Sequence, residues 1–174
     1  MKILLLSLTL STLMMAGAVK IPNSFSTRFT QKITNPKKKV IKYSGTLLLN
    51  SSGSLKWSYT KPTKKEVCST GRAFTIVDHD LEQVSFHTLE HSLNLASILK
   101  KAKHHKGNLY VATYEDVLYT FSIDKNGRID QIAFKDNLDN VVNIHFQKMY
   151  YRAKPNPKRK MQCPYPKAYD IIRG

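Results

Sequence analysis

Residues 117–135 have the sequence VLYTFSIDKNGRIDQIAFK, and this stretch decides the fold class. Apolar side chains recur at every second position from Val117 to Ile123, which is the period of a β-strand with one buried face. Asn126-Gly127 is a dipeptide typical of tight hairpin turns, and a second apolar segment follows it. The stretch therefore predicts two antiparallel strands joined by a short turn.

The same period of two extends over most of the chain. Leu55, Trp57 and Tyr59 share one side of a predicted strand, with Lys56 and Ser58 on the other side. Clusters of Gly, Asn, Pro and Ser between such runs predict turns. The strands are predicted near residues 28–34, 39–50, 54–61, 65–69, 72–78, 81–86, 108–114, 117–124, 128–135, 140–150 and 158–164. An antiparallel meander of about eleven strands does not stay flat, so we expect a barrel or part of one.

One segment follows the helical period instead. Leu95, Ile98 and Leu99 lie three and four residues apart, and Gly107 is a helix stop signal. The pattern predicts an amphipathic helix at about residues 92–105. Because a lone helix has to bury its apolar side against the sheet, we predict a mainly β fold, an incomplete antiparallel β-barrel with an α-helical lid.

The first residues are typical of an export signal. A short charged start precedes the apolar segment 3–15, and the sequence AGA at residues 16–18 completes a cleavage-site pattern. We predict a signal peptide at residues 1–18 and a single domain at residues 19–174. A membrane anchor is disfavoured because the apolar segment is shorter than the roughly 20 residues that span a bilayer. Export would place the domain in the periplasm of a host with two membranes.

The charge of the chain is strongly basic. It has 28 Lys and Arg residues against 12 Asp and Glu residues, a formal net charge of +16. This excess implies an anionic partner or surface. Nucleic acid is disfavoured, because an exported protein meets little of it and because the basic clusters lack interleaved aromatic side chains. Anionic lipid and simple solvation of basic loops both remain open.

Few residues form patterns known for chemistry. His87-Thr-Leu-Glu90-His91 has the order of an inverted zinc-protease motif, but it straddles the junction between a predicted strand and the predicted helix. A solvated junction is therefore favoured over a metal site. The sequence contains no nucleophile-elbow, phosphate-loop or Cys-x-x-Cys motif. We predict no catalytic residue, no metal, no cofactor and no enzymatic activity.

The two cysteines, Cys68 and Cys163, admit two interpretations. In an oxidising compartment a lone pair of cysteines favours one disulfide bond. Two separate buried thiols would also suit their apolar neighbours. The apolar surface as a whole is similarly ambiguous, since a curved sheet under a leucine-rich helix suits either an apolar ligand or an ordinary packed core.

Motifs along the whole chain resemble those of a known family. Phe25-x-x-x-Phe29-x-Gln31 comes early in the predicted domain, and Trp57-x-Tyr59 followed by a proline closes a predicted hairpin. In order and spacing these motifs resemble the outer-membrane lipoprotein carrier family, LolA. The resemblance implies a half-barrel whose hydrophobic cavity shelters the acyl chains of lipoproteins. It also implies a periplasmic chaperone that acts as a monomer, without ATP, metal or other cofactor.

The resemblance further implies the partners of the chain. Lipoproteins would be taken from an inner-membrane ABC lipoprotein-release complex and delivered to an outer-membrane acceptor or membrane surface. The family's Arg-Pro pair before the tryptophan strand is replaced here by Ser51-Ser52, so its latch on the lid is missing or replaced. A secreted lipid-binding or sensor protein of the same fold is the alternative, and a small secreted hydrolase is a more distant one.

Strand alternation and the resemblance together give the expected site. Cys163 would take an inward position on the closing strand, where it would bridge to Cys68. We expect the lipid-binding surface to comprise Leu47, Leu49, Leu55, Trp57, Tyr59, Phe74, Ile76, Leu95, Ile98, Leu99, Phe121, Phe134 and Phe146.

Overall fold

The computed structural model describes residues 23–70, 73–88 and 95–173, so the predicted signal peptide at residues 1–18 lies outside the described residues. Within these ranges the chain forms twelve strands, a short α-helix and a 3₁₀ helix at Lys158–Met161. The elements are β1 (Ser24–Thr34), β2 (Val40–Asn50), β3 (Ser54–Lys61), β4 (Lys65–Thr70), β5 (Ala73–Asp78), β6 (Gln83–Thr88), α1 (Leu95–Lys101), β7 (Lys103–Lys106), β8 (Leu109–Tyr114), β9 (Val117–Ile123), β10 (Ile129–Lys135), β11 (Val141–Arg152) and β12 (Asp170–Arg173).

The twelve strands form a single open sheet. Their order is β12-β6-β5-β4-β3-β2-β1-β11-β10-β9-β8-β7, and every pair is antiparallel except β12 with β6. The two edge strands, β12 and β7, are not paired with each other in the described residues, so the sheet does not close. The prediction of a mainly β fold with an incomplete barrel of antiparallel strands is confirmed, with one strand more than expected.

The strand register separates an apolar inner face from a polar outer face. Phe29 lies opposite both Gly45 and Phe146, and Leu47 lies opposite Trp57. Paired residues point to the same side of a sheet, so these positions share one face, which we call the inner face. The side chains of its hydrophobic cluster are almost completely withdrawn from solvent.

The inner face curves at Gly45, where β2 also shifts its register against β3. The ring of Phe29 on β1 meets the rings of Trp57 and Tyr59 on β3 at centroid distances of 4.8 and 5.2 Å, both edge to face. These contacts span β2 at Gly45, where the absence of a side chain leaves room for them. A Cβ atom at Gly45 would lie 1.9 Å from the carbonyl oxygen of Ser58. The bend therefore requires glycine for space.

The helix ends earlier than predicted, at Lys101. α1 packs against β8 on the inner face, and Leu95, Ile98 and Leu99 are buried there as expected. The predicted extension to residue 105 is wrong, because Lys103–Lys106 forms the edge strand β7 instead. Gly107, with a positive φ of 58°, turns the chain from β7 into β8. Residues 92–94 of the predicted helix lie outside the described residues.

The C-terminal segment crosses the outer face of the sheet. Cys68 lies opposite Lys56 and so points outward, where its sulfur is bonded to that of Cys163 at 2.02 Å. The expectation that Cys163 points inward is therefore wrong. The predicted strand at residues 158–164 is also wrong, since a 3₁₀ helix and an extended segment replace it. The bridge closes a separation of 95 residues, for which chain entropy predicts roughly 4–5 kcal/mol of stabilisation.

Two buried asparagines fix the start of that segment. The backbone N–H of Asn156 donates to the side-chain oxygen of Asn50 at 2.7 Å, and the Asn50 amide donates back to the Asn156 carbonyl at 3.2 Å. The Asn156 amide also donates to the carbonyl oxygens of Phe25 and Leu49. These bonds satisfy backbone carbonyls at the ends of β1 and β2, so they anchor the segment without leaving buried polar groups unpaired.

We predict that Gly45→Ala destabilises the protein by about 3 kcal/mol, at the upper end of the range for overpacking, because backbone atoms cannot yield to the added methyl group. Urea denaturation followed by Trp57 fluorescence measures the effect. Gly107→Asn is the matched control, since no atom lies within 4 Å of that position and asparagine tolerates a positive φ. A Gly45→Ala midpoint equal to that of the control would contradict the steric account of the bend.

Candidate functional site

A cavity of about 240 Å³ opens on the inner face of the sheet. It lies where one wall, built from β3, β4 and β5, curves toward the opposite wall at β10, with β1 and β11 between them. Its lining is mostly aromatic and aliphatic, with two uncharged polar side chains. The lining residues are Gln31, Leu55, Trp57, Tyr59, Val67, Ser69, Phe74, Phe134 and Ile144.

Cross-strand pairing assembles the first wall. Trp57 on β3 lies directly opposite Val67 on β4, while Leu55 lies opposite Ser69, which in turn lies opposite Phe74 on β5. Alternation along each strand turns all five of these side chains to the inner face. Three short strands thus present a continuous apolar strip, although no two of these five residues are adjacent in the sequence.

The second wall comes from the other half of the sheet. Phe134 lies on β10, which five strands separate from β5 in the sheet order, yet both strands line the same cavity. Tyr119 supports the Phe134 ring from β9 at a centroid distance of 5.0 Å. Ile144 on β11 lies opposite Gln31 on β1, and this pair forms the floor. The curl of the sheet is therefore what creates the cavity.

Burial around the cavity is strong enough to change the chemistry of a tyrosine. The pKa of Tyr59 is raised to about 12, first by burial and then by the neighbouring Tyr43, whose ring centroid lies 5.7 Å away. Burial disfavours the charged phenolate because water no longer solvates it. The inner face around Tyr59 is thus a low-polarity environment, which suits apolar ligands better than charged ones.

The structure divides the expected site residues into three groups. Leu55, Trp57, Tyr59, Phe74 and Phe134 line the cavity. Ile76 is half-buried on the inner face of β5, outside the cavity lining. The remaining residues are packed in the hydrophobic core beside the cavity and do not line it: Leu47, Leu49, Phe121 and Phe146 on strands, and Leu95, Ile98 and Leu99 on α1. That any of them binds lipid stays a prediction.

Four lining residues were not expected from the sequence: Gln31, Val67, Ser69 and Ile144. Val67 and Ile144 follow the same alternation as their neighbours and could have been found by extending it. Gln31 and Ser69 are polar, and alternation of apolar residues gives no signal for them.

The histidine motif does not assemble in the described residues. His87 belongs to β6 and stacks on the Phe74 ring at 4.8 Å, whereas Glu90 and His91 lie outside the described residues. Among the residues that the structure describes, no three His, Cys, Asp or Glu side chains are grouped to hold a metal ion. No helix in this described part of the chain has the length and hydrophobicity to cross a membrane.

Residues 22–116 match the family described as outer membrane lipoprotein carrier protein LolA, and the chain belongs to this family. An outer-membrane lipoprotein carrier protein of Campylobacter jejuni is 37% identical over 87% of this chain and 87% of its own length. The corresponding protein of Wolinella succinogenes is 30% identical over 90% of this chain and 88% of its own. A crystal structure of a LolA superfamily protein from Nitrosomonas europaea covers 83% of this chain and 93% of that chain, with 13% identity and a TM-score of 0.49.

The raised pKa of Tyr59 predicts a loss of stability at alkaline pH. The folded protein holds the Tyr59 proton up to pH of about 12, whereas an unfolded tyrosine releases it near pH 10. The free energy of unfolding therefore falls as the pH rises through this window. Over this pH window we expect the free energy of unfolding of Tyr59→Phe to fall by up to about 2 kcal/mol less than that of the wild type.

Urea denaturation at several pH values from about 9 to about 12 measures the slope. Tyr150→Phe is the control, because Tyr150 is exposed on the outer face. Identical slopes for wild type and Tyr59→Phe would show that burial does not hold the Tyr59 proton.

Proposed function

We propose that this protein is a periplasmic carrier that binds the acyl chains of lipoproteins in the inner-face cavity and shuttles lipoproteins from the inner to the outer membrane. The observation that carries the proposal is an apolar cavity on an incompletely closed sheet, in a chain that belongs to the lipoprotein carrier family. Residues 19–174 would form the single carrier domain, and residues 1–18 would be removed on export.

The size of the cavity constrains how a ligand enters. Sites that enclose small ligands usually measure roughly 300–1,000 Å³, so about 240 Å³ is too little for several acyl chains at once. The adjacent core must therefore open. Leu95, Ile98 and Leu99 bury α1 in the same cluster that borders the cavity, and moving the helix away would enlarge the apolar surface available to lipid.

The helix is suited to such a movement. α1 has seven residues, and isolated helices shorter than about 12–15 residues are marginal in water, so its stability depends on packing against the sheet. An acyl chain that displaces α1 replaces apolar contacts to leucine and isoleucine by apolar contacts to lipid. The two states then differ little in free energy, which allows binding and release without ATP or another cofactor in the carrier itself.

The partners follow from this role. The monomeric carrier would receive its lipoproteins from an inner-membrane ABC lipoprotein-release complex and deliver them to an outer-membrane acceptor or membrane surface. Nucleic acid has no part in the cycle, and no catalytic or metal-binding residue is needed for it. Cavity and core contacts would be made by the inner-face residues that the sequence predicted, with Val67 and Ile144 added.

Filling the cavity tests where the acyl chains bind. Val67→Phe adds a ring opposite Trp57, so we expect it to weaken binding of a diacylated lipopeptide at least tenfold while the protein stays folded. A lipopeptide with brominated acyl chains measures binding by quenching Trp57, the single tryptophan.

Thr46→Phe is the matched control for this experiment. Thr46 resembles valine in shape and lies exposed on the outer face of β2, so the same ring is added away from the cavity. Circular dichroism checks that both variants fold. Absence of quenching in wild type, or equal binding by the two variants, would exclude the cavity as the acyl site.

Displacement of α1 is tested separately by hydrogen exchange with mass spectrometry. We expect the amides of residues 95–101 to exchange faster when the lipopeptide is bound, because the helix loses its packing against β8. The peptide covering β11, in the middle of the sheet, serves as the internal control. Slower or unchanged exchange in α1 at saturating lipopeptide would show that the helix is a fixed part of the core and not a lid.

A further inference from the structure

The turn between β1 and β2 forms a strongly cationic end of the sheet. Lys37, Lys38 and Lys39 follow one another there, and all three are exposed. No aspartate or glutamate precedes Glu66 in the sequence, so β1, β2 and their turn contain no acidic side chain. None of these three lysines forms an ion pair with another residue that the structure describes. Their charge is therefore available to a partner.

Two further lysines stand behind the turn on the outer face. Lys32 on β1 lies directly opposite Lys42 on β2, and both are exposed. Like charges that face each other across two strands destabilise a sheet. In the described part of the chain neither has an ionic partner that would relieve this repulsion. An external anionic surface would relieve it.

Exposed aliphatic side chains accompany these lysines. Val40 and Ile41 are 45% and 50% exposed at the start of β2, and Leu138 is 71% exposed in the neighbouring turn between β10 and β11. The two turns lie side by side, since Thr34 at the end of β1 pairs both with Val40 and with Val141. We call Lys37, Lys38, Lys39, Val40, Ile41 and Leu138 the basic end.

The acidic groups nearest to the basic end are already engaged. Asp136 accepts hydrogen bonds from the backbone of Leu138 and Asn140 and from the Asn140 amide within its own turn. Asp139 lies 3.7 Å from the amino group of Lys135. In the described residues neither carboxylate forms an ion pair with Lys37, Lys38 or Lys39.

The inner face connects the basic end to the cavity. Gln31 lines the cavity floor, and Ile33 is the next inner-face residue along β1. Ile33 lies opposite Ile41, which belongs to the basic end. Ile33 and Ile41 thus continue the inner face from the cavity floor to the end of the sheet where the lysines are exposed.

We infer that the basic end docks the protein on an anionic phospholipid surface, with its lysines at the headgroups and its aliphatic side chains at the acyl boundary. This inference rests on the proposed carrier function for its purpose, which is to bring the cavity against the membrane where cargo is loaded or released. It assigns to the residues of two turns a role separate from acyl-chain binding in the cavity.

The occupant is lipid and not an acidic protein because of how charge and apolar groups are combined. Lysine side chains that extend to the headgroups while neighbouring aliphatic groups enter the interface are typical of membrane-surface segments. The exposed apolar side chains here are few, at the start of β2 and on one narrow turn, which suits insertion between lipids. A protein interface instead needs a broad patch with a buried centre.

Vesicle co-sedimentation of the mature protein without cargo tests the inference. We expect wild type to bind vesicles of phosphatidylcholine and phosphatidylglycerol and not vesicles of phosphatidylcholine alone. Each lysine near an anionic surface strengthens binding about fivefold, so the triple variant Lys37→Gln, Lys38→Asn, Lys39→Gln should lose roughly a hundredfold in affinity. Asparagine is chosen at residue 38 because its φ is 64°.

The matched control is the triple variant Lys158→Gln, Arg159→Gln, Lys160→Gln. These residues are also consecutive and exposed, and they follow Asn156, which is anchored at the opposite end of β1 and β2. The net charge falls by the same amount in both triple variants. Equal losses of vesicle affinity would therefore mean that the overall charge attracts the protein to the vesicles, and they would overturn the inference. Failure of the wild type to bind anionic vesicles would overturn the inference too. That result is expected if the surface binds an acidic protein.

Insertion of the aliphatic residues is tested with Leu138→Trp. Bound to anionic vesicles, the new tryptophan should show a blue-shifted emission relative to free protein, after subtraction of the Trp57 signal from wild type. An unshifted emission would overturn the insertion of this turn. Quenching of Trp57 by brominated lipopeptide in the basic-end variant separates the two proposals, since acyl binding should be retained when docking is lost.

Discussion

The structure depends on one constraint: the inner face of an open sheet must be buried although the described residues form no second sheet that could cover it. Its strands solve this by curling, so that Phe134 on β10 and Phe74 on β5 line the same cavity across five intervening strands. Along this curved face Phe29 reaches Trp57 and Tyr59 over Gly45. Dispersion and apolar burial among these rings stabilise the curved form, while the missing side chain at Gly45 permits it. The α1 helix then fills part of the concave space that the curl leaves.

The outer face shows the consequence of that arrangement. The C-terminal segment covers only the half formed by β3 to β6, where the disulfide, Val77 and Val84 are buried together. Lys56 ties the same segment down, since its amino group lies 2.9 Å from Glu66 and also donates to the Gln162 carbonyl at 2.7 Å. In the part of the chain that the structure describes, no segment covers the outer face of β2, β1 and β11 in this way, and Lys32, Lys42 and Thr46 are exposed there. One half of the sheet is thus reinforced from outside.

Much of the fold could be predicted because alternation is a local property. The period of Leu55, Trp57 and Tyr59 is visible in five residues, and it placed all three correctly on the inner face. Residues 103–105 are predicted as helix because basic residues are favoured both at helix C-termini and on exposed edge strands, and only pairing with β8 separates the two. The side to which Cys163 points depends on the path of a long C-terminal segment, which no local pattern encodes. Gln31 and Ser69 could not be predicted, because no sequence pattern distinguishes a polar residue beside a cavity from any other polar residue.

The inner face is incompletely filled, which lowers the stability of the fold but leaves space that a ligand could occupy. Interiors of proteins usually pack at near-crystalline density, and an unfilled volume forfeits dispersion contacts of its lining atoms. A larger residue at Val67 would recover some of those contacts, yet it would remove the space that an acyl chain needs. The same reasoning applies to α1. The burial of Leu95, Ile98 and Leu99 holds this helix in place, and its intrinsic helical stability contributes little. A longer, self-stable helix would bind the sheet more tightly and would demand more free energy from the ligand. In the proposed carrier, a weakly stable helix beside a partly empty cavity would keep the bound and free states close in free energy, and states that are close can be exchanged reversibly at two membranes.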